Sequence, residues 1–319
     1  MKKTLHPEVE ELMNSVLRND PNAGPLTVED VRAANLTTVE LLGGPGEEVA
    51  KVWNSVAETS SGPLDLRWYS PFDAQADSLI LFVHGGGWVS GTLDSYDTFC
   101  RALALRTRLV ASLAYSLSPE TRHPQAIHEV ADVIQNACTL AAEAGHTIQH
   151  LVVCGDSAGG FLIASAMHHL AASGAPLPQA ALFLYPIADV SMQYDSYKTF
   201  ASGYQLTAEK MQWYWAQYLG EEISSAAEQA DPYLAPLRSP LLHRFPRSMV
   251  ITVEFDPLRD EGIELVQQLS DAGVSVEHIE IPGQIHGFLR FRKALTDSVW
   301  GPDAVMERIG SFLNGQDRN

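Results

Sequence analysis

The chain has few cysteines and few basic residues. Its 319 residues include three cysteines, which lie far apart without a C-x-x-C pair, so neither a disulfide framework nor a zinc knuckle is expected. Lys and Arg number 21 against 39 Asp and Glu. The formal net charge of −18 argues against nucleic acid or an anionic membrane as the main partner. We interpret this charge as an aid to solubility.

Long apolar runs are also lacking. No stretch approaches the length of a membrane span, and no apolar signal region follows the two lysines near the start. We therefore expect a cytoplasmic protein with reduced cysteines. Hydrophobic residues make up 45% and charged residues 19%, as is ordinary for a soluble globular protein. The length suits one large α/β domain or two small ones.

Short apolar runs of strand length alternate with helical patterns along most of the chain. The first two runs flank a turn at 60–63 and predict a hairpin, whereas later runs are continuously apolar, as in strands buried on both faces. The eight runs are 49–56, 64–69, 79–83, 109–115, 151–154, 181–185, 249–253 and 274–279. This alternation predicts an α/β fold with a mostly parallel sheet covered by helices on both faces.

Two segments fall outside this alternation. Residues 7–19 have the pattern of an amphipathic helix that ends at the turn-rich stretch 19–25, and Thr27 with Asp30 predicts the start of a second helix. The long segment between the strands near 185 and 249 has no clear strand pattern. Such an insertion can form a lid over the crevice where α/β proteins bind ligands. Most of its aromatic residues are expected to pack it onto the body.

One serine stands at the apex of a predicted strand, turn and helix. The run 151–154 leads into Gly155-Asp156-Ser157-Ala158-Gly159, and an apolar helix start follows. Glycine two positions before and after the serine relieves the crowding of such a sharp turn. Because Gly-x-Ser-x-Gly occurs by chance in roughly one chain in ten of this length, Ser157 is a candidate nucleophile that needs partners.

A glycine-rich loop is the candidate for stabilising negative charge on a reacting carbonyl. His84-Gly85-Gly86-Gly87-Trp88 follows the run 79–83, and consecutive glycines let backbone N–H groups approach a ligand. The spacing does not fit a phosphate loop, and three glycines between a buried strand and a tryptophan make a poor linker. The N–H groups of Gly86, Gly87 and Ala158 are therefore candidates for an oxyanion hole.

The candidate carboxylate and base lie beyond two later strands. Asp256 follows the run 249–253, whereas Asp260 and Glu261 fit the first turn of the next helix. We prefer Asp256, with Asp260 as support. Of the eleven histidines, His286 follows the run 274–279 and a predicted turn at Pro282-Gly283, from which a loop can reach Ser157. The order Ser157, Asp256, His286 is the one expected for α/β-hydrolases.

Together these stretches resemble the hormone-sensitive-lipase branch of the α/β-hydrolases, and especially small bacterial acetyl esterases. They run in the right order from residue 80 to 290, and jointly they are highly specific. The matching stretches are His84-Gly85-Gly86-Gly87-Trp88, Tyr115-Ser116-Leu117-Ser118-Pro119-Glu120, Gly155-Asp156-Ser157-Ala158-Gly159-Gly160, Glu254-Phe255-Asp256-Pro257-Leu258-Arg259-Asp260-Glu261-Gly262 and His286-Gly287-Phe288.

The resemblance implies an eight-stranded sheet with a helical cap. The core would comprise 46–187 and 245–315, and the cap would comprise an N-terminal segment, 1–45, and an insertion, 188–244. It also implies carboxylester hydrolysis without a metal or organic cofactor, and homodimers, which are frequent among related enzymes. His84, Asp156, Glu254 and Asp260 would support the site, and we expect Trp88, Trp213 and Phe288 as candidate pocket residues.

Three functions follow as hypotheses. The leading one is an esterase for uncharged esters with short acyl chains, in which Ser157 attacks, His286 transfers the proton and Asp256 orients His286. An acyltransferase or biosynthetic tailoring enzyme would use the same triad with another acceptor. A binding or regulatory protein on this fold is expected to have lost a triad member, and none is missing here.

Overall fold

The computed structural model describes residues 4–17, 26–72, 77–106, 108–220 and 231–315. Its strands are β1 Lys51–Thr59, β2 Gly62–Ser70, β3 Ser78–Val83, β4 Leu109–Leu113, β5 His150–Asp156, β6 Ala180–Leu184, β7 Arg247–Phe255 and β8 Val276–Ile285. Its helices are α1 Pro7–Asn14, α2 Val28–Leu42, α3 Asp97–Arg106, α4 Gln125–Glu143, α5 Ala158–Ser173, α6 Ser196–Thr199, α7 Ala208–Leu219, α8 Arg259–Asp271 and α9 Pro302–Asn314. Each of the eight predicted strands is present.

The strands form one sheet in the order β1-β2-β4-β3-β5-β6-β7-β8. β1 and β2 form the predicted hairpin, β2 is also antiparallel to β4, and the pairs from β3/β4 to β7/β8 are parallel. The predicted mostly parallel, eight-stranded sheet is confirmed. Because parallel strands end at the same edge, the residues that follow β3, β5, β7 and β8 meet at the carboxyl edge of the sheet.

Alternate side chains of the central strands enter two separate cores. In β3, Leu79 and Leu81 belong to the core with α4, α5 and α8, whereas Ile80 and Phe82 belong to the core with α3 and α9. Successive side chains of a strand point to opposite faces of the sheet. Burial of both faces explains why these runs in the sequence are continuously apolar.

The N-terminal helices differ from the prediction at one end. α1 ends at Asn14 instead of near residue 19. Just after this end, the Ser15 hydroxyl donates to the Glu11 carbonyl at 2.8 Å and competes with a backbone donor for it. The predicted turn-rich stretch 19–25 lies outside the described residues. α2 begins as predicted, with the Asp30 N–H donating to the Thr27 hydroxyl oxygen at 3.1 Å. Within the described ranges, no helix is both long and apolar enough to cross a membrane.

The insertion after β6 contains short helices and no strand where it is described. α6, α7 and two short 3-10 helices, Pro236–Arg238 and Leu242–Arg244, are separated by turns and irregular segments within residues 185–220 and 231–246. Trp215 and Tyr218 of α7 are buried and join the core around α5, where the ring centroid of Tyr218 lies 4.4 Å from that of Trp88. For these two rings, the prediction that aromatic residues pack the insertion onto the body is confirmed.

The carboxyl end of β8 differs from the prediction. The expected turn at Pro282-Gly283 is wrong, because the strand continues through these residues to Ile285. Gly283 has a φ of +69°, its N–H donates to Glu254 Oε2 at 2.8 Å, and the pairing of β8 with β7 shifts register there. This bulge lengthens the strand, so that His286 follows the strand end directly.

The double-sided core generates a stability prediction. Leu182 of β6 is fully buried, and Leu182→Ala should lower the free energy of unfolding by roughly 2–5 kcal/mol through lost burial and a cavity. The matched control is Leu36→Ala, since Leu36 is 43% exposed, and its effect should stay within about 0.5 kcal/mol. Urea denaturation followed by tryptophan fluorescence measures both variants, and equal effects would contradict the described core.

Candidate active site

Ser157 sits at a tight turn between β5 and α5. Its backbone has a φ of 52° and a ψ of −117°, a strained conformation for a residue with a side chain. A Cβ on Gly155 would overlap the backbone of Gly159, and a Cβ on Gly159 would overlap the Val83 carbonyl. The two glycines therefore allow the turn, which holds Ser157 at the carboxyl edge of the sheet.

The structure brings Ser157, His286 and Asp256 together from three strand ends. His286 Nε2 lies 2.9 Å from Ser157 Oγ, and His286 Nδ1 lies 2.7 Å from Asp256 Oδ2. Asp256 is fully buried, and its Oδ1 accepts from the Leu258 N–H at 2.9 Å. A neutral imidazole would donate from Nδ1 to Asp256 and accept the Ser157 hydroxyl proton at Nε2. This geometry suits nucleophilic attack with general-base assistance.

The other acidic residues near Asp256 have different partners. Glu254 Oε2 accepts from the Gly283 N–H in the bulge of β8. Asp260 Oδ2 accepts from the Ser196 N–H at 2.9 Å, and its Oδ1 accepts from Arg259 at 2.7 Å. Both carboxylates therefore hold neighbouring segments, and Asp260, which was expected to support Asp256, connects α8 to the insertion.

Glu261 is a buried carboxyl group next to Asp260. It lies in the first turn of α8, as predicted, but it is fully buried. Burial raises the pKa of Glu261 well above its ordinary value, although the Ala188 N–H donates to Oε1 at 2.9 Å. The Tyr197 hydroxyl donates to Oε2 at 3.2 Å. Glu261 thus ties α8 to the start of the insertion.

The glycine loop after β3 lies beside the nucleophile turn. Gly86 and Gly87 have φ values of +106° and +62°, which favour glycine. A Cβ on Gly86 would overlap the Ser90 carbonyl, and a Cβ on Gly87 would overlap the ring of Tyr214. Ala158 begins α5 directly after the serine, so its N–H lies at a helix N-terminus, where negative charge is favoured.

Asp156 connects the nucleophile turn to the glycine loop. The Gly85 N–H donates to Asp156 Oδ1 at 2.7 Å, and the Tyr96 hydroxyl donates to Oδ2 at 2.9 Å. Burial raises the pKa of Asp156, while the positive charge of Arg290 and these hydrogen bonds act in the opposite direction. The carboxylate therefore fixes the start of the glycine loop relative to Ser157.

His84 is a buried packing residue at the base of the same loop. Its ring stacks between Tyr115, at a centroid distance of 4.4 Å, and Tyr96, at 5.4 Å. The Tyr115 hydroxyl donates to the His84 carbonyl at 2.9 Å. Burial lowers the pKa of His84 to about 4, so this imidazole is neutral at physiological pH. It supports the loop without adding charge to the site.

A cavity of about 380 Å³ opens above Ser157 and His286. Its walls come from α2, the glycine loop, the insertion with α7, and the segment after His286. The apolar part of the wall includes Leu17, Leu26, Val31, Leu206, Met211 and Phe291, and the polar part includes Asn35, Thr38, Gln205, Lys210, Tyr214 and Arg290. Small-molecule sites are typically concave and mostly apolar, whereas polar and apolar groups contribute about equally to this cavity.

The sequence suggested three pocket residues, Trp88, Trp213 and Phe288. In the described part of the chain, none of them lines this cavity. Trp88 is fully buried, with its ring 4.4 Å from Trp215 and 5.2 Å from Phe161. Phe288 is also fully buried, 6.1 Å from the ring of Tyr185. On α7 the cavity is lined by Lys210, Met211 and Tyr214 and not by Trp213. The rings of Trp88 and Phe288 pack in the core because burial of large apolar groups is favourable there.

Three residues near the site were not predicted from the sequence. Tyr96 bonds to the Asp156 carboxylate, Tyr214 covers the glycine loop, and Arg290 lies in the cavity wall. Arg290 follows His286 by four residues, and this short separation in sequence could have indicated a residue near the site. Tyr214 stands among several aromatics at 213–218, and nothing in the sequence singles it out. Tyr96 and Asp156 are distant in sequence and come together only in the folded chain.

Comparisons with known proteins agree with this architecture. A family model described as the alpha/beta hydrolase fold matches residues 80–290. The ethyl acetate hydrolase of Pseudomonas putida is 31% identical over 294 residues, which cover 90% of this chain and 91% of that protein. The acetyl esterase of Salmonella paratyphi B is 30% identical over 265 residues, which cover 81% of this chain and 78% of the relative.

Solved structures extend the likeness to nearly the whole chain. A thermostable esterase from Pseudomonas putida matches with a TM-score of 0.89 at 26% identity, over 99% of this chain and 98% of that one. An ester hydrolase from the metagenome of Lake Arreo, complexed with a bipyridine phosphonate derivative, matches with a TM-score of 0.88 at 28% identity, over 99% and 100%. The chain therefore belongs to the α/β-hydrolase family, in the branch of esterases that are similar to hormone-sensitive lipase.

Proposed function

We propose that this protein is a carboxylesterase that hydrolyses small esters with short acyl chains through an acyl-enzyme on Ser157. The observation that carries the proposal is the continuous series Ser157 Oγ, His286 and Asp256, with separations of 2.9 and 2.7 Å, at the floor of the cavity. The segments 1–45 and 188–244 are proposed as the cap, which supplies much of the cavity wall.

In the proposed reaction, Ser157 Oγ attacks the ester carbonyl while His286 Nε2 accepts its proton. Asp256 holds the imidazole and stabilises its charged form. The N–H groups of Gly86, Gly87 and Ala158 stabilise the oxyanion of the tetrahedral intermediate. His286 then protonates the departing alcohol. In the second half of the reaction, His286 accepts a proton from water, which attacks the acyl-enzyme, and the acid is released with Ser157 restored.

Two observations support short acyl chains. The cavity volume of about 380 Å³ is near the lower end for small-molecule sites, which hold roughly 300–1,000 Å³. Two relatives are an ethyl acetate hydrolase and an acetyl esterase, so acetyl esters are substrates that similar proteins are named for. A long acyl chain would have to leave this cavity or displace its wall.

Triad variants test the mechanism. Ser157→Ala and His286→Ala should lower kcat for p-nitrophenyl acetate by about 10⁶, and Asp256→Asn by about 10⁴, because the last change spares the nucleophile and base. Initial rates measure the loss, and circular dichroism checks the fold. Matched controls are Ser173→Ala, at the far end of α5, and Asp271→Asn, at the end of α8, both exposed. Substantial turnover by Ser157→Ala would remove Ser157 from the mechanism.

A second test concerns the glycine loop. Gly87→Ala should lower kcat by about 10²–10³, because the new methyl group overlaps the Tyr214 ring and displaces a proposed oxyanion donor. Gly145→Ala is the matched control, since Gly145 has a φ of +87° and, its two chain neighbours aside, no described residue comes within 4 Å of the position that the new methyl group would occupy. The control should carry a similar free-energy cost of placing a side chain at a positive φ, and its kcat should be unchanged. Equal activity losses would show that only general destabilisation is being measured.

A panel of p-nitrophenyl esters from acetyl to dodecanoyl tests the chain-length part of the proposal. For the wild type, kcat/KM should be highest at the short end and decline as methylenes exceed the cavity. Met211→Ala should move the optimum toward longer chains, because Met211 is buried in the cavity wall and its truncation adds volume. A wild-type preference for long chains would overturn the short-acyl proposal and leave the triad standing.

A further inference from the structure

The cavity wall contains two cationic side chains whose surroundings differ. Arg290 Nη2 donates to Asn35 Oδ1 at 3.1 Å and to the Ser95 carbonyl at 3.3 Å, and its guanidinium lies 4.2 Å from the centre of the Tyr96 ring. The charge of Arg290 also acts on the buried Asp156 carboxylate. Arg290 thus has partners in α2 and at Ser95 and Tyr96, although its buried Nε has no hydrogen-bond partner among the described residues.

Lys210 has fewer partners than Arg290 among the described residues. It lies in the first turn of α7, and its Nζ donates to the Gln205 carbonyl at 3.0 Å. Burial lowers the pKa of Lys210, and no carboxylate in the described part of the chain acts against this effect. Asp30, another residue in the cavity wall, is exposed and accepts from the Thr27 hydroxyl at 2.6 Å. An ammonium group has three N–H donors, and the Gln205 carbonyl is the one acceptor that Nζ has among the described residues, so two donors remain for a ligand.

Gln205 adds a second unused polar group to the same wall. Its Oε1 is buried and has no hydrogen-bond partner among the described residues. It lies 3.8 Å from the position that a Cβ on Gly287 would occupy, so the amide is next to the residue that follows His286. Gln205 also has a φ of +52°, a strained conformation for a residue with a side chain. A half-turn of the amide presents its NH₂ group, so it can donate as well as accept.

We propose that Lys210 and Gln205 form a subsite for a carboxylate group carried by the ester substrate. The inference rests on the proposed esterase function and departs from the uncharged ester that was expected from the sequence. A carboxylate would satisfy the two spare donors of Lys210 and one donor of the Gln205 amide inside a partly buried wall, where charge-assisted hydrogen bonds are strong. Half-esters of small dicarboxylic acids and acylated small hydroxy acids have this chemistry.

Matched ester pairs test the subsite. Monomethyl succinate and methyl succinamate differ only by carboxylate against carboxamide on the acyl side, and acetoxyacetate and acetoxyacetamide differ in the same way on the alcohol side. Acid release at constant pH gives kcat/KM for each. The wild type should favour the carboxylate of one pair by about tenfold or more, as expected for hydrogen bonds to a charged group. Lys210→Met should abolish this preference, and Lys210→Arg should retain part of it.

Controls separate this subsite from the esterase mechanism. Lys198→Met removes an exposed lysine of the insertion, which pairs with Asp195, and should leave the preference unchanged. Calorimetric binding of monomethyl succinate and methyl succinamate, and of the acetoxy pair, to Ser157→Ala reports the subsite without turnover. A wild-type ratio near one in both pairs, or equal losses for both members in Lys210→Met, would overturn the subsite. Failure to hydrolyse p-nitrophenyl acetate would instead overturn the proposed function.

Discussion

The nucleophile turn and the glycine loop pack backbone against backbone, and the rest of the site depends on that contact. Gly159 leaves no room for a side chain against the Val83 carbonyl, and Gly85 leaves none against Asp156. Two parallel strands, β3 and β5, lie side by side, so the segments that follow them are neighbours from the start. Glycine at these positions lets the two segments touch, which places the start of the glycine loop beside the turn that holds Ser157.

This close contact leaves a buried carboxylate, which the surrounding groups stabilise. Asp156 is nearly fully buried, and burial alone would favour its neutral form. The Gly85 N–H, the Tyr96 hydroxyl and the charge of Arg290 favour the ionised form instead. Arg290 in turn donates a hydrogen bond to Asn35, so α2 is connected to the same network. Arg290 therefore connects the cavity wall at α2 with the carboxylate that holds the glycine loop.

The elements that depend on local sequence were predictable. Continuous apolar runs indicated the strands, and each proposed triad residue was placed after one of them, where the structure brings the three together. The end of β8 was mispredicted because Pro282-Gly283 has the composition of a turn, whereas Glu254, distant in sequence, pairs with Gly283 and keeps the strand going. Long-range contacts of this kind have no local signal. The expected homodimer, the cytoplasmic location and the catalytic roles stay predictions.

The cavity wall was the least predictable part for the same physical reason. Trp88, Trp213 and Phe288 were the candidate pocket residues, yet Trp88 and Phe288 are fully buried in the core. What reaches the cavity is set by how α7 lies on the body. That helix is capped by Thr207 and anchored by Trp215, so its orientation fixes Tyr214 and Lys210 together. The position of Lys210 in the cavity wall is therefore determined by the packing of the insertion, whereas the strand ends position Ser157, Asp256 and His286.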